Sequence, residues 1–165
     1  MQDDICNILT RLRPRDAFEL SEYGFDEATA AAAFSSPAIL AKVFAHGGAP
    51  QAIVTFHGLT PKSLAVSLMA TDLWPSVARD VVRWSIRVAR PRLLQLGFAR
   101  AECRTLEDHC DSINFLEWLG FVRECRVPRF GATGASFVQY AWRLNDHVPI
   151  QSTQSPAAAT TPAAA

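Results

Sequence analysis

Two turns rich in glycine and proline separate three short apolar runs, and they constrain the fold more than any other feature of the chain. The runs are Ile39–Ala45, Gln51–His57 and Ser63–Ala70, separated by Gly47-Gly48-Ala49-Pro50 and Gly58-Leu59-Thr60-Pro61. Links this short join antiparallel neighbours, because a parallel connection needs a crossover of a dozen or more residues. The sequence therefore predicts three consecutive antiparallel strands.

The segment before these strands predicts one further strand and two helices. The short apolar run Ile5–Leu9 is a strand candidate. Pro14 suits the first turn of a helix that Gly24 ends, since proline is tolerated at a helix start and glycine favours its end. Asp26 is placed to cap a second helix that runs through the alanines to Phe34.

The longest predicted helix follows the three strands. Pro75 opens it, it runs to about Arg90, and Pro91 kinks or restarts it before Gly97. At about 100° per residue, one face of this helix is apolar and is expected to pack on the sheet. That face carries Val77, Val81, Trp84 and Val88, and the opposite face carries Arg79, Arg83, Arg87 and Arg90.

The second half of the chain alternates strands with helices. The remaining elements are strand Phe98–Arg104, helix Asp108–Leu119 followed by Gly120, and strands Phe121–Val127 and Ser136–Leu144. The whole order is β-α-α-β-β-β-α-β-α-β-β, which predicts an α/β (α+β) domain with a mixed, mostly antiparallel sheet flanked by helices. We expect Phe98–Arg104 to lie parallel to Ser63–Ala70 and to splay from it.

Length and composition indicate one domain followed by a tail. A chain of 165 residues that is 49% hydrophobic buries one ordinary core. From Gln151 onward the sequence holds only Gln, Ser, Thr, Pro and Ala, which supply too little apolar surface to offset the entropy of ordering. We therefore assign residues 1–144 to the domain and predict that residues 145–165 are disordered.

Charge, hydropathy and cysteine spacing exclude several classes of function. With 16 basic and 16 acidic residues the chain is not a globally basic nucleic-acid binder, so a nucleic-acid partner is disfavoured. The four cysteines have no paired metal-ligand spacing, and no metal site is expected. No apolar run reaches the roughly 18 residues of a transmembrane helix. The start of the chain is acidic where a secretory signal would be basic, which predicts synthesis in a cytoplasm.

One helix-to-strand junction carries a family resemblance. The run Phe115-Leu116-Glu117-Trp118-Leu119-Gly120-Phe121 is similar to the junction of GNAT (acyl-CoA N-acyltransferase) proteins, usually written aromatic-Glu-Lys-Leu-Gly-Phe. Together with the order of elements, it makes the region from Ile5 to Leu144 resemble the GNAT fold. The resemblance implies acetyl-CoA as the cofactor and a small amine or a protein amine as the acceptor.

A narrower set of residues resembles a bacteriophage family typified by a small internal virion protein of short-tailed phages. The set is Trp74-Pro75, Arg83-Trp84, Ala101-Glu102-Cys103-Arg104, His109, Trp118-Leu119-Gly120, Phe130-Gly131 and Tyr140-Ala141-Trp142. This resemblance implies a virion or morphogenesis component, with other virion proteins as partners and the virion interior as its location.

The cofactor loop departs from the GNAT pattern. Enzymes of that family hold the pyrophosphate of CoA with a loop written [Q/R]-x-x-G-x-[G/A], whose N–H groups point at phosphate. The matching segment, Thr71 to Val77, has no glycine, while Asp72 adds a negative charge and Pro75 lacks a donor. The candidate cofactor-binding residues that remain are Met69, Ala70, Thr71, Ser76 and Arg79.

The catalytic positions depart from the pattern as well. The tyrosine that often protonates the leaving thiolate is replaced by Leu116, which cannot donate a proton. Glu102 and His109 are candidate general bases, although Glu102 can equally form an ion pair with a neighbouring arginine and His109 can cap or pack. The leading interpretation is a phage GNAT-fold protein with a degenerate acyl-CoA site. The alternative is an active N-acetyltransferase with an atypical pyrophosphate loop.

Overall fold

The computed structural model describes residues 2–35 and 40–143 and contains one sheet with helices on both faces. The helices are α1 Gln2–Leu9, α2 Pro14–Glu22, α3 Glu27–Phe34, α4 Ala78–Trp84, α5 Arg90–Gln95 and α6 Cys110–Trp118. The strands are β1 Leu40–His46, β2 Ala49–Thr60, β3 Ser63–Ala70, β4 Arg100–Leu106, β5 Val122–Val127 and β6 Phe137–Arg143. The predicted tail, residues 145–165, lies outside the described residues.

The six strands form one mixed sheet in the order β1-β2-β3-β4-β6-β5. Every neighbouring pair is antiparallel except β3 and β4, which run parallel. Those two strands pair only from Ser63 to Ala65, opposite Arg100 to Glu102, and then diverge. The predicted fold class and the predicted parallel, splayed pair of strands are both confirmed.

Alternate residues of the strands supply two apolar clusters, one on each face of the sheet. Val54 and Phe56 of β2 pack in the larger cluster with α4, α5 and the end of α6, whereas Ile53 packs in the smaller one with the first three helices. Asp26 accepts a hydrogen bond from the Thr29 N–H and caps α3, as the sequence predicted. No helix among the described residues is long and apolar enough to cross a membrane.

The first element is a helix, so the strand predicted at Ile5–Leu9 is wrong. Ile5, Ile8 and Leu9 are buried, and their spacing of three and four residues places them on one face of a helix. Asp3 and Asp4 lie in its first turn, where the helix dipole favours negative charge. A run of five residues is too short to distinguish this spacing from the alternation of a strand.

The long helix forms as predicted but changes register in its middle. A single 3₁₀ turn, Trp74–Ser76, precedes α4, and a π-helical turn, Ser85–Ala89, joins α4 to α5. Pro91 has no N–H for the usual bond to Arg87, and the Arg90 N–H bonds to the Ser85 carbonyl, five residues back. The extra residue rotates the C-terminal part of the helix, so Val88, predicted to pack, is 52% exposed, and Ala89 is buried instead.

Candidate functional site

The divergence of β3 from β4 opens a cavity of about 820 Å³ that passes through the sheet. Residues of both apolar clusters line it: Leu20 and Met69 come from one face, Val54 and Val81 from the other. Pairing stops after Ala65 and Glu102, and beyond that point each strand turns an unpaired edge toward the opening. The splay therefore provides a partly open site with backbone hydrogen-bonding groups on its walls.

The unpaired edge of β3 begins at Val66. The Thr71 N–H donates to the Gln51 carbonyl of the neighbouring chain segment at 2.9 Å. Because the bonds of a strand alternate between its two sides, Val66, Leu68 and Ala70 turn their N–H and C=O groups the other way, toward the cavity. The edge at Val66 and Leu68 faces the cavity, whereas the groups of Ala70 have partners from the N-terminal part of the chain.

The start of α2 covers the end of the β3 edge. The Arg13 N–H donates to the Ala70 carbonyl at 3.0 Å, and the Ala70 N–H donates to Asp16 Oδ2 at 2.9 Å. Arg13 also donates to Asp16 Oδ1 at 2.7 Å through its guanidinium group. Burial raises the pKa of Asp16, although the Arg13 charge and these hydrogen bonds oppose the shift. A strand-like ligand cannot pair with Ala70 unless this contact opens.

Other side chains of α2 and its C-cap bond the edge of β4. Glu19 Oε2 accepts from the Leu106 N–H at 3.2 Å and from the Thr105 hydroxyl at 2.8 Å. The hydroxyl of Tyr23 donates to the Arg104 carbonyl at 3.2 Å. Asp16, Glu19 and Tyr23 are three and four residues apart, so they project from one side of the helix toward the splay.

His109 lies between two carboxylates on the cavity wall. Its Nδ1 is 3.2 Å from Glu19 Oε2, and its Nε2 is 3.9 Å from Asp16 Oδ1. The residue is only 5% exposed and lines the cavity. It occupies the cap position of α6, yet its side chain caps no backbone group of that helix. The structure thus brings this predicted catalytic candidate into a buried polar cluster with Arg13, Asp16 and Glu19.

Glu102, the other catalytic candidate, is held in a charged network. Its Oε2 lies 3.0 Å from Arg100 Nη2 and accepts from Gln139 Nε2 at 3.1 Å. Arg100 also pairs with Glu124. The ion pair that the sequence offered as the alternative role of Glu102 is therefore present, although the residue still lines the cavity.

Most backbone N–H groups of the segment from Thr71 to Val77 form hydrogen bonds within the protein. Of its six N–H groups (seven residues less Pro75), five bond within the protein: Thr71 to Gln51 O, Leu73 to Thr71 Oγ1, Trp74 to Thr71 O, Ser76 to Leu73 O and Val77 to Trp74 O. Three of these bonds run from residue i+3 to residue i, as in a 3₁₀ turn, and satisfy donors that an open loop would present. The segment offers few N–H groups to a phosphate.

The predicted cofactor-binding residues fall into two groups. Met69, Ala70 and Thr71 lie at the end of β3, where Ala70 and Thr71 bond to other parts of the protein as described above. The Ser76 hydroxyl donates to the Leu73 carbonyl at 2.7 Å, and Arg79 lies exposed in the first turn of α4. Their roles in cofactor binding stay predictions.

An aromatic contact covers the end of the cavity beside this segment. The ring of Trp74 meets that of Phe115 edge-to-face with centroids 5.0 Å apart, and the guanidinium carbon of Arg13 lies 5.8 Å from the same indole. All three residues line the cavity. Trp74 therefore joins the start of α2 to α6 at the place where β3 ends.

Both tyrosines of the chain donate their hydroxyls to other groups of the protein. Leu116 itself lines the cavity. The hydroxyl of Tyr140 donates to Glu117 Oε1 at 2.8 Å, and burial together with this carboxylate raises the pKa of Tyr140 to about 12. Desolvation also raises the pKa of Tyr23. Both phenols therefore stay protonated at neutral pH, and both hydroxyls are already donated.

Sequence reasoning missed the contribution of α2. Asp16, Glu19 and Tyr23 were not predicted as site residues. Acidic side chains spaced three apart on a helix are ordinarily solvent-facing, so spacing alone gave no signal. An available clue was Arg13 three residues before Asp16, a spacing that allows a buried ion pair on the same side of the helix.

Comparison with known proteins identifies the fold through structure alone. No family model and no curated protein matches the sequence. Among solved structures, an aminoglycoside 6'-acetyltransferase type Ii is 15% identical, with 89% of this chain and 92% of that chain covered and a TM-score of 0.66. The GNAT domain of PAT from S. lividans is 12% identical, with 86% and 84% covered and a TM-score of 0.64.

A third neighbour was solved with a ligand. It is yncA from Salmonella typhimurium, described as an acetyltransferase with its cofactor acetyl-CoA, and it is 12% identical over 78% of this chain and 80% of that chain at a TM-score of 0.59. Identities this low speak for the fold and not for the activity. From the strand order, the splayed parallel pair and these neighbours, we conclude that this chain has the GNAT fold.

Proposed function

We propose that this chain is a GNAT-fold protein whose acyl-CoA site is degenerate, and that it serves as a component of a phage particle. One observation carries the first part of the proposal: five of the six backbone donors in the segment from Thr71 to Val77 bond within the protein. A pyrophosphate needs several free N–H groups from such a segment. Here five of the six would each have to break an existing bond first.

Three further features oppose the cofactor. The carboxylate of Asp72 repels phosphate at the same segment. The bonds from Arg13 and Asp16 occupy the edge of β3 at Ala70, where an extended ligand would pair. The contact of Trp74 with Phe115 narrows the route from the cavity to the start of α4. The dipole of a helix terminus supplies only about 0.3–1 kcal/mol, which cannot offset these effects.

Titration calorimetry with acetyl-CoA tests the degenerate site. We expect a dissociation constant no better than about 1 mM, which corresponds to a binding free energy of about −4 kcal/mol. Asp72→Gly should improve affinity by less than about tenfold, or about 1.4 kcal/mol, because the backbone donors stay bonded. Asp3→Asn is the matched control, since it removes an exposed charge on α1 that does not line the cavity. Micromolar binding by the unmodified protein, abolished by Arg79→Ala, would refute the proposal.

The particle role is supported by the resemblance of this sequence to internal virion proteins and has its own test. Mass spectrometry of gradient-purified phage particles should detect peptides of this chain. The peptides should survive protease treatment of intact particles and disappear once the particles are opened. Absence from purified particles, with the protein present in the infected cell, would contradict this part of the proposal and leave the degenerate site untouched.

The second candidate function is an active N-acetyltransferase, which the cavity itself favours. The unpaired edge at Val66 and Leu68 could pair with an extended acyl carrier, and His109 lies on the same wall with Glu19. In this mechanism the amine attacks the thioester carbonyl directly, the thiolate leaves, and water carries the protons, so that proximity provides the rate. Release of free thiol from acetyl-CoA, dependent on an added amine, would establish this function in place of the first.

A further inference from the structure

The joined helix of α4, the π turn and α5 carries a concentrated positive charge. Residues 78–95 contain five arginines and one acidic residue, Asp80, a net charge of +4 (5 − 1) in a chain whose total is zero. A nucleic-acid partner was disfavoured above because the charges of the whole chain balance. That balance does not describe this helix, whose charge is positive. A solvent-exposed helix laced with ion pairs alternates the two signs of charge along its face, whereas this helix has a single carboxylate for five arginines.

Three of these arginines form a straight row. Arg79, Arg83 and Arg87 follow one another at intervals of four residues. A buried row has the same interval and consists of Val77, Val81, Ser85, Ala89 and Leu93. Each arginine of the row comes two residues after a member of the buried row. Two residues correspond to about 200°, so the arginines project away from the sheet. In a regular helix a row with this interval drifts by about 40° per step, and the π turn at Ser85–Ala89 counteracts that drift.

The row is available to a partner. Arg79, Arg83 and Arg87 are all exposed. Within the described part of the chain, only Arg83 of the three has an ion pair, with Asp80 at 3.4 Å, and both of its members are more than half exposed. An exposed pair of this kind contributes about 1 kcal/mol at most. Arg90, by contrast, packs over the Trp142 ring, with its guanidinium carbon 5.1 Å from the ring centroid. We therefore assign Arg90 a structural role and leave it out of the row.

We propose that this row, the Arg79–Arg83–Arg87 face, binds the phosphate backbone of a nucleic-acid duplex without reading its sequence. At about 1.5 Å per residue the row spans about 12 Å, and a duplex presents one charge per about 1.7 Å of its axis. Several phosphates therefore lie along the length of the row, and each guanidinium can bind one of them. The planar donors of a guanidinium match the oxygens of a phosphate. The inference is independent of the proposed acyl-CoA chemistry.

Two other polyanions fit the face less well. A membrane surface would require a continuous apolar face beside the basic row that can insert between lipids. Within residues 78–95 the exposed large apolar side chains are Ile86 and Val88, both in the π turn, and the other large apolar side chains pack in the core cluster against the sheet. A single strand would require aromatic side chains on which bases stack, and the exposed side of the helix carries none: Trp84, its one aromatic residue, packs against the core cluster. A duplex backbone requires only positive side chains that are spaced to reach its phosphates.

Fluorescence anisotropy with a short labelled DNA duplex tests the proposal. With three phosphate contacts, the slope of log K against log salt should be about −2.7, so affinity falls about 40-fold between about 50 and 200 mM salt. Replacing the three arginines by glutamine should lower affinity at least tenfold at about 50 mM salt and reduce the slope below about 1. The matched control replaces Lys62, Arg123 and Arg129 by glutamine, which changes the net charge equally at exposed positions elsewhere.

The control separates a local face from general attraction. Equal losses in both triple variants, or no measurable duplex binding at low salt, would overturn the proposal. Binding to vesicles of phosphatidylserine and phosphatidylcholine that depends on the three arginines, without binding to DNA, would overturn it in favour of a membrane surface. Circular dichroism melting of both variants establishes that each remains folded, as expected for exposed positions.

Discussion

Gly131→Ala should destabilise this protein through a single buried carboxylate. A Cβ at Gly131 would lie 2.0 Å from Glu22 Oε2 and 3.0 Å from Glu22 Cδ. Glu22 is only 3% exposed and accepts from the Thr133 N–H at 3.1 Å and from the Thr133 hydroxyl at 2.6 Å. These bonds fix the loop between β5 and β6 to α2, the helix that supplies the polar groups of the cavity.

The magnitude follows from the displacement that the new methyl group requires. An ordinary contact begins at 3.4 Å, so the carboxylate must move by about 1.4 Å (3.4 − 2.0). That movement breaks hydrogen bonds to a charged acceptor, each of which contributes about 1.5–3 kcal/mol. We expect a loss of about 3 kcal/mol in the free energy of unfolding, and a fall of roughly 10 °C in Tm.

Urea and thermal denaturation measure the effect, and two variants isolate its cause. Gly58→Ala is the matched control, because a Cβ there meets no atom within 4 Å, and it should change stability by less than about 0.5 kcal/mol. In a Glu22→Ala background the clash is gone, so Gly131→Ala should then cost less than about 1 kcal/mol. An equal cost of Gly131→Ala in both backgrounds would refute the reasoning.

Three further predictions concern charge, burial and the tail. Hydrogen bonding to Arg100 lowers the pKa of Glu124 from 4.5 to about 2, so the stability from this pair is complete above pH 4.5 and is lost as pH falls toward 2. Glu124→Gln should therefore flatten the acid limb of a plot of unfolding free energy against pH over that window. An unchanged limb would contradict this prediction. Asp16→Ala should cost about 3–5 kcal/mol by urea denaturation, because it leaves the Arg13 charge and the Ala70 N–H without their acceptor; a cost below about 1 kcal/mol would show that the contact is dispensable. Deleting Gln151–Ala165 should leave Tm within about 2 °C, and a larger fall would mean that this segment packs on the domain.

Most of the fold was predictable because its signals are local. The turn at Gly47, the cap at Asp26 and the helix end at Gly120 each act over a few residues, and the structure confirms the elements that they delimit. The second predicted turn forms later than expected, at Pro61 and Lys62, because β2 continues through Gly58 to Thr60. The failure at Ile5–Leu9 has the same origin. Five residues do not span enough of a period for the apolar spacing to separate helix from strand.

The candidate site was less predictable because its properties depend on contacts between distant segments. The sequence showed that the segment from Thr71 to Val77 has no glycine and that Leu116 replaces a proton donor. It did not show that five donors of that segment are already bonded, nor that a π turn forms beside Pro91. Backbone hydrogen bonding of this kind is set by the path of the chain rather than by residue type.

By itself, the sequence determined most of the elements and their order, and it placed no glycine in the segment from Thr71 to Val77 and a leucine at position 116. Only the tertiary structure decided what fills the splay between β3 and β4. There Arg13, Asp16 and Glu19 bond backbone groups that lie more than fifty positions away along the chain. The helix propensity of an acidic residue is the same whether its side chain ends in solvent or in a cavity. Only the packing of the helix against the sheet removes water from the carboxylate and provides it with a backbone hydrogen-bond partner.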